Sequence, residues 1–174
     1  MLFRSDAIAL DGLDKAWRWV ERATKDGADR EARTNMAMAA MEGAMVFQKG
    51  LGAVHALSHP TGGLKGYRTH HGTLNAIYLP AVLRFNEPAV GAKFAKVAQV
   101  MGLKASEANA AGVANAVAAL NERLGIPKGL GAMGLKRDVV EKIADGALGD
   151  HCHQSTPRQP TREQYIQLIE ESWG

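Results

Sequence analysis

Apolar residues return every three or four positions in segment after segment of the chain, the spacing that gives a helix one buried face. Leu10, Leu13, Trp17 and Val20 make the first such stripe and predict a helix from about Ser5 to Arg22, capped by Ser5 or Asp6. Lys25 to Asp29 reads as a turn, and Asp29 is placed to cap a second helix over about Arg30 to Gln48. Met36, Ala37, Ala40, Met41, Ala44 and Met45 share one side of it. Small residues and flexible thioethers there predict a core face packed closely on a neighbour. A short helix over Leu51 to His59 should stop at Pro60, and Thr61 to His70, with three glycines, reads as a loop.

The helical pattern resumes from Gly72 to about Asn86, with Pro80 predicting a kink or break. Pro88 suits the first turn of a further helix with the stripe Val90, Phe94, Val97 and Met101, ended by Gly102. Ser106 is placed to cap a helix carrying Val113, Val117, Leu120 and Leu124, closed by Gly125. Ile126 to Gly134 is irregular and glycine-rich; Val139, Val140 and Ile143 mark a short helix ending near Leu148. The last helix starts at Thr161 with Gln164 three residues on, a capping-box spacing, and presents Tyr165, Leu168, Ile169 and Trp173. No linker or repeat divides the chain, so residues 1–174 read as one compact all-α domain, a bundle of about seven or eight helices.

Composition agrees. The 174 residues include 29 alanines, which favour helices, and few of the β-branched and aromatic residues that favour strands. The 46% hydrophobic and 22% charged fractions are those of a globular chain, which excludes a disordered one. The net charge of +3 is spread along the sequence, and only 6% of residues are aromatic, so neither nucleic acid nor a membrane is an expected partner. No apolar run approaches a membrane span, and Met1 to Asp6 lack the layout of a signal peptide. The single cysteine, Cys152, cannot form an internal disulfide, which points to a reducing cytoplasm.

Chemistry gathers at the histidines. All six fall in two clusters: His55, His59, His70 and His71, then His151 and His153 flanking Cys152. His55 and His59 lie four apart on a predicted helix, so their rings share a face. Such a pair can hold one divalent cation, or one ring can bind metal while the other stands over an adjoining pocket. The helix–loop–helix between them and His71 can return that residue towards His55. Two or three neutral imidazoles in a partly dry place suit iron(II) or zinc(II) better than calcium or magnesium. No Asp or Glu lies between Glu42 and Glu87, so further ligands must come from elsewhere.

The segments Phe47 to Pro60 and His71 to Pro80, with their His-Pro and His-Gly pairs, resemble the iron-dependent (group III) alcohol dehydrogenase family. Arg84 to Asn86, Leu124 to Pro127 and Asp150 to Arg158 extend the resemblance over nearly the full chain. It implies the C-terminal all-helical domain of a dehydroquinate synthase-like fold, which in the family follows an α/β domain that binds NAD(P). The family's metal, iron(II) with zinc(II) as the alternative, is held between the domains by one Asp and three His. His55 and His71 match two of those ligands, and His59 matches the catalytic histidine on the cofactor side. His70 and the Asp150–His153 segment are read as lining the substrate side, with a buried small residue as the equal alternative for Cys152.

An Asp-x-x-x-His pair, the family's other ligands, does not occur upstream of His55, and the glycine-rich cofactor segments are not in this sequence. Thr156 stands where the family has Asn before Pro-Arg. The expectation is therefore the C-terminal portion of an oxidoreductase interconverting alcohols and aldehydes. It would be inactive in isolation, completed by a separate N-terminal domain, and inclined to self-associate through an uncovered helical face. The rival readings are a stand-alone helical binding or structural module, and part of a maleylacetate reductase-like enzyme.

Overall fold

The computed structural model describes residues 4–174; Met1 to Phe3, part of the segment read for a signal peptide, lie outside the described residues. The described residues form seven α-helices and no strand. They are α1 (Arg4–Lys25), α2 (Arg30–Val46), α3 (Gly52–Gly62), α4 (His71–Val100), α5 (Ala110–Arg123), α6 (Val140–Gly149) and α7 (Arg162–Glu171). The all-helical expectation holds. Helix α3, the first half of α4, α6 and α7 surround the larger core, built on Leu57, Leu74, Tyr78, Ile143, Tyr165 and Ile169. A smaller core joins Phe94 and Ala98 of α4, and Met101 just after it, to Val113 of α5, with Leu13 and Trp17 of α1 packed against it. None of the described helices is long and apolar enough to cross a membrane.

Two caps are as the sequence predicts. The Asp29 side chain accepts the Ala32 N–H (2.9 Å) at the start of α2, and Thr161 and Gln164 form a reciprocal capping box at the start of α7. Two others differ. Ser5 and Asp6 lie inside α1, which already includes Arg4, so Asp6 contributes a negative charge to the first turn rather than a cap. Asn109, not Ser106, caps α5 by accepting the Gly112 N–H (2.9 Å), while Ser106 sits in a short 3-10 turn before it.

The methionine face of α2 is not core. Met38, Met41 and Met45 are 40–55% exposed, and the buried line is Ala32, Ala39 and Glu42. The small residues decide which side packs: Gly12 brings α1 so close that a Cβ there would stand 3.2 Å from Glu42 Cβ. The buried Glu42 carboxylate is matched by Lys15 of α1 at 3.1 Å. The small residues Ala32 and Ala39 of that line allow the closer approach to α1.

Proline positions depart from expectation for a different reason. Helix α3 does not stop at Pro60 but runs to Gly62. Buried Thr61 holds the extra turn by donating to Leu57 O (2.7 Å) and bonding Tyr78 OH (2.8 Å). Pro60 itself packs on α6 where Gly146 leaves room: a Cβ at 146 would lie 2.5 Å from Pro60 Cβ. Pro80 causes no break in α4. Its missing N–H frees the carbonyl of Ala76, and Asn121 Nδ2 of α5 donates to that oxygen at 2.7 Å. The kink lies instead at Val90 (φ −134°, ψ 16°), after Pro88, so Pro88 belongs to the end of one straight segment rather than the start of the next.

Candidate metal centre

Three elements meet at the histidines. Gly50 and Gly52, both at positive φ, lead into α3. A side chain at Gly50 would collide with Ser155, its Cβ falling 2.1 Å from Ser155 Cβ. That close approach lets Ser155 Oγ accept the Gly52 N–H (3.1 Å) while donating to Cys152 O (2.9 Å). The start of α3 is thereby fixed to the 3-10 turn His151–Ser155. Helix α3 presents His55 and His59 on one face, and α4 opens with His71 opposite them.

The three rings are neighbours. Ring centroids lie 5.1 Å apart for His55 and His71, 5.7 Å for His55 and His59, and 5.4 Å for His59 and His71. The Nε2 atoms of His55 and His71 reach the same Asn75 Nδ2, at 3.3 and 3.2 Å. An amide N–H can only donate, so both ring nitrogens aim lone pairs at one spot. Asn75 Oδ1 is buried without a hydrogen-bond partner. Ser58 Oγ, 3.4 Å from His71 Nδ1, steadies the second ring. The setting is less dry than expected: His55 is half-buried, but His71 is exposed.

Burial pulls the His55 pKa below the ordinary imidazole value, helped by the nearby charges of His71 and His59 when protonated and opposed by Asp150. The ring is therefore neutral, with its lone pair free, at neutral pH. His59 has another partner. Its Nδ1 lies 2.9 Å from Asp150 Oδ2, across 91 positions of sequence. The carboxylate only accepts, so Nδ1 carries the proton and Nε2 is left as an acceptor. Burial works to raise the Asp150 pKa, but hydrogen bonds from the Cys152 N–H and His59 outweigh it and hold the carboxyl below its usual range. Cys152 is buried, and burial together with Asp150 pushes its thiol up to about 11.

The remaining expected residues divide. Cys152 adjoins the group through His151, whose Nε2 is 3.4 Å from Sγ. His70 does not join the stacked rings: it is the cap of α4, its Nδ1 accepting the Thr73 N–H at 3.3 Å. His153 turns to Tyr165, with Nδ1 and OH 3.0 Å apart. Two participants carried little or no sequence signal. Asp150 closes on the ring of His59 from a remote segment, and Asn75 bridges two histidines from one turn along α4. A groove of about 600 Å³, lined by Ile77, Asn121, Ile126 and Ser172 among others, contains none of the histidines.

The donor set fits a borderline divalent cation such as iron(II) or zinc(II): two imidazole nitrogens converge, with an unpartnered amide oxygen beside them. It is also partial, since a catalytic site of this kind normally has at least three protein ligands.

Comparison with known proteins identifies the family. The model of the Fe-containing alcohol dehydrogenase family, C-terminal, matches residues 4–173. A 4-hydroxybutyrate dehydrogenase of Cupriavidus necator is 49% identical over 175 residues, 97% of this chain and 45% of that protein. An NAD-dependent methanol dehydrogenase of Bacillus methanolicus is 36% identical over 95% of this chain and 44% of its own length. Among solved structures, a 1,3-propanediol oxidoreductase superposes with a TM-score of 0.90 at 32% identity, over 97% of this chain and 45% of that one. A maleylacetate reductase from a Rhizobium strain shares the fold, with a TM-score of 0.81 at 21% identity over 99% of this chain and 46% of its own. The chain thus spans a little under half the length of the relatives it matches. With the match running almost from end to end, this chain belongs to the Fe-containing alcohol dehydrogenase family and represents its C-terminal, helical part.

Proposed function

We propose that this chain is the metal-holding helical domain, residues 1–174, of an NAD(P)-linked oxidoreductase that interconverts small alcohols and aldehydes. The observation that carries this reading is the aim of His55 Nε2 and His71 Nε2 at one point. These two residues would hold the divalent metal, iron(II) in keeping with the family name, with Asn75 turning its free oxygen to the same place. When bound, the metal supplies Lewis acidity to an alcohol or carbonyl oxygen, and NAD(P) supplies the hydride acceptor. His59 stands on the cofactor side as the catalytic proton carrier. Asp150 accepts its Nδ1–H, which orients the ring and leaves Nε2 to take and return a proton. Cys152, a neutral thiol at physiological pH, lines the substrate side as a small apolar surface, as expected of a chain kept in a reducing cytoplasm. His70 supports the site from outside by capping α4.

Two imidazoles do not complete a catalytic first shell, and the relatives are about twice as long. We therefore assign the missing ligands and the nicotinamide site to a nucleotide-binding domain outside these residues. The exposed Met38, Met41 and Met45 face of α2 supports self-association of the 174-residue chain on its own, to be read by sedimentation at increasing concentration.

Joining this chain to the N-terminal half of the 49%-identical relative tests the reading. The expected result is iron(II)-dependent reduction of NAD(P) by a short alcohol or hydroxy acid, abolished by His55→Ala or His71→Ala, whereas the 174-residue chain alone shows no turnover. A folded chimera that binds NAD(P) but shows no metal-dependent turnover would overturn it, and turnover by the chain alone would refute the incompleteness.

A further inference from the structure

His59 faces two ways. One side stacks near His71, with ring centroids 5.4 Å apart; the other lies near-parallel to His151, 20° between planes and 5.8 Å between centroids. On that second side stand Asp150, His151 and Cys152, three consecutive residues of different ligand type. One donor atom from each of these and from His59 can be chosen so that all four lie within 4.8 Å of one another. Donors arranged around a zinc-sized ion at 2.0–2.3 Å are separated by about 3.3–3.8 Å. The existing contacts are His59 Nδ1 to Asp150 Oδ2 at 2.9 Å, Cys152 Sγ to His151 Nε2 at 3.4 Å and His151 Nδ1 to Asp150 Oδ1 at 3.7 Å, so rotation of the exposed His151 ring and the Asp150 carboxylate would bring one donor of each residue to that spacing.

We propose that His59, Asp150, His151 and Cys152 form a second cation site, beside the His55–His71 pair, that takes a thiophilic divalent ion such as zinc(II). The donor chemistry is selective. One sulfur and two imidazoles favour zinc(II), cobalt(II) or cadmium(II) over magnesium or calcium. Binding releases the Cys152 Sγ proton to solvent as the sulfur–metal bond forms. One thiolate and one carboxylate then balance the two positive charges, with both imidazoles neutral. The scaffold is in place before the ion arrives. Asp150 Oδ1 accepts the Cys152 N–H at 2.8 Å, which sets the 3-10 turn, and the Ser155–Gly52 hydrogen bond fixes that turn to the helix bearing His59. His151, with its side chain 82% exposed, gives the ion a way in.

Occupancy would engage His59 and withdraw it from proton transfer, so zinc(II) would inhibit the assembled enzyme. This consequence rests on the role proposed for His59; the binding site itself does not.

Cobalt(II) titration of the 174-residue chain under reducing conditions distinguishes the two sites, because only a thiolate ligand gives the near-ultraviolet sulfur-to-cobalt band. The band should appear with one cobalt(II) per Cys152 and bleach when zinc(II) is added. It should be absent from Cys152→Ser, persist in the His55→Ala/His71→Ala double variant, and require at least about tenfold more cobalt(II) in His151→Ala. His151 is exposed, so that last variant reports on ligation even if Cys152→Ser disturbs the fold. No sulfur band in the parent chain, an affinity unchanged by His151→Ala, or loss of the band with His55 and His71 would each overturn the proposal.

Discussion

His55 is the residue on which the site's acid–base behaviour turns. Its pKa is depressed in the fold by burial and by its imidazole neighbours, so folding favours the neutral ring. The stability that belongs to this neutral form is full above the imidazole value of the unfolded chain and is lost as pH falls towards the lower folded value. Urea midpoints of the metal-free chain should therefore drop between about pH 7 and pH 5, and the drop should shrink in His55→Gln. An identical acid profile in that variant would show that His55 does not titrate as its surroundings dictate. At this scale the sequence was legible where chemistry travels in a short motif. His55, His59 and His71 stand within 17 positions, and the structure groups them. Asp150 was not legible as a partner of His59, because nothing local marks which carboxylate will cross 91 positions to reach a given ring. Asn75 was hidden for a different reason: an amide one turn after a histidine on a helix is commonplace until the second histidine arrives from α3.

Among the elements, the helices themselves were legible almost throughout, since apolar spacing marked segments that are all helical and two helices start at the predicted caps. What periodicity could not convey is how neighbours override local rules. The α2 methionines are exposed because alanine and glycine allow a closer α1–α2 contact on the other side. Pro80 is tolerated because Asn121 donates to the carbonyl that the proline leaves unpaired. That compensation makes a quantitative prediction. Asn121→Ala should cost about 1–3 kcal/mol by leaving the Ala76 oxygen unsatisfied. In a Pro80→Ala background the restored amide can serve the same oxygen, so the cost of Asn121→Ala should fall measurably, a coupling readable by a double-mutant cycle in urea. Equal costs in both backgrounds would mean that the hydrogen bond does not compensate the proline.

The molecule as a whole is a scaffold that brings the rings of His55, His59 and His71 together. The larger core locks α3, α4, α6 and α7 together, and the Ser155–Gly52 latch fixes the remaining segment to them. Both groups of residues proposed to take a cation are thus held by packing that does not depend on one. The relatives in this family are longer than this chain, but the ion proposed for His55 and His71 would be shared by two imidazoles of this chain alone. Nitrogen-15 spectra of the histidine rings during zinc(II) titration test it most directly, using the His151→Ala/Cys152→Ser chain to disable the neighbouring cluster. The account predicts that the Nε2 signals of His55 and His71 move together along one binding curve, with one zinc(II) per chain, and that the Asn75 side-chain amide moves with them. Separate curves for the two rings, or a response from only one, would contradict it.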